Sequence, residues 1–171
     1  MRSSKAKITV REIALFGVLG ALTFAAKLVM SGLPNIEPVS LMVMLFAVTF
    51  GKKCVYPIGV YVAMEILVFG ISTWNIYYLY IWLVLAVAAL LLRPSRSPVV
   101  WAMLSGVFGL LFGALCGIAD IFIGGVGYAV AKWTSGLLFD VVHGCANFVI
   151  ALLLFVPMRR LLEKLYAGMG R

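Results

Sequence analysis

The stretch Gly32-Leu33-Pro34-Asn35-Ile36-Glu37-Pro38-Val39-Ser40 decides how this chain is organised. A glycine followed by two prolines forbids one continuous helix, and an asparagine and a carboxylate interrupt the long apolar runs on either side. It is too short for a domain linker and reads as a hairpin between two membrane helices. Its sidedness matters, because an Asn and a Glu at a membrane surface are either plain loop or part of a ligand mouth.

Working outward, the whole chain of 171 residues is 64% hydrophobic and 12% charged, with a mean hydropathy of +1.13. Soluble domains carry about a quarter charged residues, so this composition implies an integral membrane protein. The net charge of +8 sits in short clusters between apolar runs, where membrane topology explains it and no nucleic-acid partner is needed. Cys54, Cys116 and Cys145 are far apart, lack Cys-x-x-Cys spacing and read as inert buried thiols. The basic start, with Arg2, Lys5 and Lys7, resembles a signal peptide, yet the apolar run after Glu12 continues for a full span without a small-residue cleavage site. It reads as a retained first helix.

Six spans follow, in a single domain covering residues 1–171: about 12–31, 38–50, 55–70, 77–92, 99–123 and 137–157. The second is short and needs neighbouring helices or a thinned bilayer to accommodate it. Residues 158–165 are amphipathic and read as a solvated tail prolonging the last helix. With six spans, twelve of the fourteen basic residues share one side, Lys27 and Lys132 being the other two. The positive-inside rule then places both termini in the cytoplasm. A five-span alternative, with residues 38–50 re-entrant, puts Lys52 and Lys53 on the wrong side. The fold class is therefore all-α, a polytopic cell-membrane protein whose outer face carries the opening hairpin, the loop 70–75 and a loop 124–136.

Lys27, Glu65, Asp120, Asp140 and His143 fall within or at the ends of the spans, mostly in their outer halves. A charged group there costs about 2.5 kcal/mol or more at the bilayer centre, so each should face the bundle interior, water or an interface. Asn35, Glu37, Trp74, Asn75, Tyr77, Tyr78, Lys132 and Trp133 lie on the same side, which outlines an outward-facing pocket. The aromatic residues also suit an interfacial belt, and Lys27 suits snorkelling or an ion pair with Glu37 or Asp120. Asp140 and His143, three apart, share a helical face and suit a mutual hydrogen bond or a ligand contact equally. His143 is the only histidine, which argues against a catalytic metal.

Small residues form a second pattern. Gly17, Ala21 and Ala25 recur at four-residue steps on the first span, and Gly106, Gly109, Gly113 and Gly117 on the fifth. Such faces allow close helix approach, within the bundle or, for the first span, against another subunit.

At this level the chain resembles the substrate-binding S components of energy-coupling factor (ECF) transporters, bacterial vitamin importers. The likeness spans the length, the six spans, the basic start, and the segments Pro34-Asn35-Ile36-Glu37-Pro38-Val39-Ser40-Leu41 and Phe50-Gly51-Lys52-Lys53. The family's Ala-x-x-x-Ala docking motif is matched by Ala21-Leu22-Thr23-Phe24-Ala25, with Gly17 one step earlier. The resemblance implies capture of a vitamin-like molecule from outside, docking on a transmembrane coupling subunit with two cytoplasmic ATPases, and toppling to release the cargo. The Pro-Asn-x-Glu-Pro opening and the loop with Trp74, Tyr77 and Tyr78 look most like the cobalamin or queuosine-precursor branches, with a slight lean to cobalamin. A wide mouth for a corrinoid would be opened by the run Gly124-Gly125-Val126-Gly127-Tyr128, which equally suits an ordinary turn.

The sequence has no Gly-x-x-x-x-Gly-Lys-Ser/Thr loop, Gly-x-Ser-x-Gly elbow or His-Glu-x-x-His helix, so neither its own ATPase nor an intramembrane enzyme is expected, and no cofactor is implied. The expected substrate-binding residues are Asn35, Glu37, Trp74, Asn75, Tyr77, Tyr78, Asp140 and His143, and the docking face is Gly17, Ala21 and Ala25. The rival readings are a structural or assembly subunit without a ligand, and a self-sufficient secondary transporter, for which no inverted repeat is visible.

Overall fold

A computed structural model describes residues 8–33 and 35–169. Pro34 of the opening hairpin, and Arg2, Lys5, Lys7 and Arg171 of the charge argument, lie outside the described residues. The described chain is all-helical: α1 (Val10–Val29), α2 (Val39–Phe50), α3 (Val55–Phe69), α4 (Thr73–Leu91), α5 (Pro98–Leu110) and α6 (Phe112–Met169), with a short 3-10 turn Gly51–Cys54 between α2 and α3. Four helical stretches, Val10–Val29, Val39–Phe69, Thr73–Leu91 and Pro98–Met169, are long and apolar enough to cross a membrane.

Capping and glycines set the reversals. Thr9 and Glu12 form a capping box that starts α1. Gly51 (φ 61°) and Gly70 (φ 78°) end α2 and α3 with left-handed backbone that glycine adopts without a Cβ clash. α1 and α3 run parallel, because Glu12 pairs with Lys53 at one end and Lys27 with Glu65 at the other. α2 and α4 run the opposite way, tied at their far ends by the Arg93 Nε donating to the Val48 carbonyl at 2.8 Å.

All twelve residues of α2 are buried. At 1.5 Å per residue it is only about 18 Å long. Its neighbours enclose it, and a helix apolar on every side belongs in such a centre.

The last third agrees with the expected span 99–123 and corrects the expected loop 124–136. α5 continues into α6 past Leu111, bridged by backbone hydrogen bonds from Leu111 to Val107 and from Leu115 to Leu111. α6 itself is two arms, 112–124 and 126–169, meeting at Gly125 (φ 81°, ψ 175°). The arms fold back antiparallel: a Cβ at Gly106 would meet Phe148, one at Gly109 would meet Gly144, and one at Gly113 would meet Asp140. The expected loop 124–136 is therefore helix apart from a reversal at Gly125. The conformation only glycine reaches easily makes a longer loop unnecessary.

The expected solvated tail after Pro157 is also helix and packs on the bundle. Tyr166 stacks edge-on against Phe50, and its hydroxyl donates to Glu12 at 2.6 Å. Arg159 is buried, donating to the Ser95 carbonyl at 2.9 Å and to Glu163 at 2.8 Å. The start of α1 and the end of α6 thus lie at one end of the bundle, where Arg11 donates to the Met169 carbonyl. Cys145, expected to be buried, faces outward; Cys54 and Cys116 are buried, and all three are free.

Candidate functional site

At the opposite end of the bundle lies a cavity of about 780 Å³, walled by α1, α3, α4, both arms of α6 and the segment between α1 and α2. All eight residues expected to bind substrate line it: Asn35 and Glu37 from the hairpin, Trp74, Asn75, Tyr77 and Tyr78 from α4, and Asp140 and His143 from α6. The hairpin is held over it by Asn35, whose left-handed backbone (φ 59°) is one that asparagine tolerates. Its side-chain amide donates to the Phe139 carbonyl at 3.4 Å.

α4 starts at Thr73, a turn earlier than the sequence reading, so Trp74 and Asn75 are on its first turn and not in a loop. The reason is local: Asn75 Oδ1 accepts the Ser72 backbone N–H at 2.6 Å and caps the helix. Asn75 thus lines the cavity with its oxygen already engaged.

Two ion-pair clusters frame the α4 aromatics. On one wall Lys27 Nζ lies 3.0 Å from both oxygens of Glu65 and donates to the Tyr78 hydroxyl at 3.1 Å, with its charge 5.0 Å from the Tyr78 ring centre. Lys27 therefore pairs with Glu65, in place of the expected Glu37 or Asp120. On the facing wall Lys132 donates to Asp120 at 2.9 Å and to the Tyr77 hydroxyl at 2.6 Å, while that hydroxyl donates to Asp120 at 2.5 Å. Trp74 meets Tyr77 edge-on at 5.6 Å and lies tilted 6.3 Å from Tyr78. Each tyrosine is thereby fixed by a charged partner, with a lysine ammonium about 5 Å from its ring centre.

Asp140 and His143 form the third wall, without a hydrogen bond to each other. Asp140 Oδ1 accepts the Gly113 N–H at 3.0 Å, a contact possible because residue 113 has no side chain. His143 packs edge-on against Phe112 at 5.0 Å. Asp140 is 7% exposed and His143 3% exposed, and neither Asp140 Oδ2 nor His143 Nε2 has a hydrogen-bond partner among the described residues. Such orphaned polar atoms are rare in interiors.

Glu37 makes no hydrogen bond or ion pair among the described residues. Burial and the neighbouring Glu65 push its carboxyl up to about 7, against the pull of Lys27. No group of three or more His, Cys, Asp or Glu among the described residues is placed to hold a metal ion.

Sequence reasoning did not name Lys27, Glu65, Asp120 and Lys132 as site residues. Three of them carried the signal of an ionisable group inside an apolar run; Lys132 was counted in the pocket's outline but, assigned to a loop, was given no contact role. On the docking face, a Cβ at Gly17 would meet nothing within 4 Å, and Ala25 is exposed, so this face of α1 is uncovered by the bundle. Gly20, by contrast, packs on Pro57 and Val60 of α3.

No protein-family model, no curated protein and no solved structure matches this chain.

Proposed function

We propose that this chain is the substrate-capturing membrane subunit of an ATP-driven vitamin importer. Its six helical runs cross the cell membrane with both termini in the cytoplasm. The cavity end faces outward, and the end bearing Lys53, Arg93 and Arg159 faces inward, as the positive-inside rule requires. The observation that carries the reading is the cavity itself: about 780 Å³, within the range of small-molecule sites, with aromatic faces and a few convergent polar groups. Trp74 would stack on a ring, and the polar groups would fix its orientation.

Energy would come from outside the chain, through a transmembrane coupling subunit with two cytoplasmic ATPases. The uncovered Gly17, Ala21 and Ala25 face of α1 suits that contact. Of the two ligands the resemblance suggests, cobalamin and a queuosine precursor, a cavity of about 780 Å³ favours the smaller.

The test is vitamin uptake by cells expressing this chain with and without a coupling module. Uptake that needs the module and ATP supports the capture role. Uptake by this chain alone would establish a secondary transporter. A correctly folded chain that neither binds nor transports any vitamin would establish the structural-subunit reading.

A further inference from the structure

The cavity wall carries four carboxylates, Glu37, Glu65, Asp120 and Asp140, against two ammonium groups, Lys27 and Lys132. Both ammonium groups are committed: Lys27 to Glu65 and Lys132 to Asp120. Glu37 and Asp140 are left without a paired cation among the described residues, and with His143 neutral the wall keeps excess negative charge even when Glu37 holds a proton. Asp140 receives only neutral donors, the Gly113 N–H on Oδ1 and the approach of the Trp133 indole, and Oδ2 remains unpartnered. A carboxylate buried to this degree is costly without a countercharge.

We infer that this cavity selects a compact, planar ligand that carries a positive charge, drawn to the uncompensated carboxylates Asp140 and Glu37 while its ring lies against the exposed Trp74. The inference rests on the capture reading and deepens it. Glu37 covers the charge from the hairpin side. An anionic vitamin would meet two unpaired acids and no free base.

The test separates charge from vitamin identity by using three isosteric probes on the purified full chain: benzamidine, benzamide and benzoate, read by thermal stability and ligand-observed NMR. Benzamidine binds, benzamide binds at least about tenfold more weakly and benzoate does not bind, the scale of one lost charge-assisted hydrogen bond. Asp140→Asn removes the benzamidine preference, and Glu37→Gln, on a different element, reduces it if the first variant misfolds. Equal binding of the three probes, preference for benzoate, no binding of benzamidine, or an unchanged preference in both variants overturns the proposal. A vitamin panel run beside it tests the parent reading separately. Tight binding of an anionic vitamin sinks the charge rule and leaves vitamin capture standing. Benzamidine preference with no vitamin binding does the reverse.

Discussion

The backbone N–H of Gly113 and the Oδ1 of Asp140 lie 3.0 Å apart across the two arms of the last helical hairpin. The bond fixes a buried carboxylate in the cavity wall, and it depends on residue 113 having no Cβ. In Gly113→Ala the new methyl would sit 2.5 Å from Asp140 Oδ2. We expect ligand binding to fall by more than tenfold, on the order of one charge-assisted hydrogen bond, with a stability loss of about 1–3 kcal/mol from overpacking. Binding titration and thermal unfolding of the variant check both.

The Lys27 and Glu65 pair is partly buried, with both oxygens and a tyrosine hydroxyl on the ammonium. Removing one partner strands the other, so Lys27→Met or Glu65→Leu alone should cost about 1–3 kcal/mol, less than for a fully buried pair because Lys27 is partly exposed. The double variant should lose less than either single change. A double-mutant cycle by denaturant or thermal unfolding in detergent measures this, and additive losses would show that the two charges do not depend on each other.

Glu37 gives a pH dependence. Its folded carboxyl holds a proton up to about 7 against 4.5 ordinarily, so between these values the folded state binds more protons than the unfolded one. Its contribution to stability is complete below 4.5 and is lost as pH rises through about 7. The ligand-free protein should therefore unfold at lower temperature at pH 8 than at pH 5.5, and Glu37→Gln should flatten that slope. A slope unchanged by the substitution would assign it to another group.

Two glycines on α1 separate folding from docking. A Cβ at Gly20 would come within 2.7 Å of the Pro57 carbonyl oxygen, whereas one at Gly17 meets open space. Gly20→Ala should destabilise the protein by about 1–3 kcal/mol. Gly17→Leu should leave stability and ligand binding unchanged while abolishing uptake through a coupling subunit. Retained uptake would place the docking contact elsewhere.

Much of the cavity was legible because its residues break a strong pattern. In a chain this apolar, Asp140, His143, Glu37 and the α4 aromatics stand out, and residue counting from a hairpin is enough to place them at one end. What counting could not supply was pairing. Lys27 and Glu65 are 38 positions apart, and their meeting follows from α1 and α3 running parallel with α2 enclosed between other helices, which periodicity does not reveal. The hairpin at Gly125 was misjudged for a different reason. Three glycines in four residues suggest a loose loop, yet one of them in a left-handed conformation reverses the chain without ending either helix. The cap at Asn75 moved Trp74 onto α4 by the same kind of local hydrogen bond.

The most direct test of the central claim is isothermal titration of a vitamin panel, including cobalamin and the queuosine precursors, into the purified chain and into Trp74→Ala and Asp140→Asn. One ligand should bind at a single site and be weakened about tenfold or more in both variants, with their unfolding temperatures close to that of the parent. Binding of no vitamin, or binding that neither substitution alters, would contradict it.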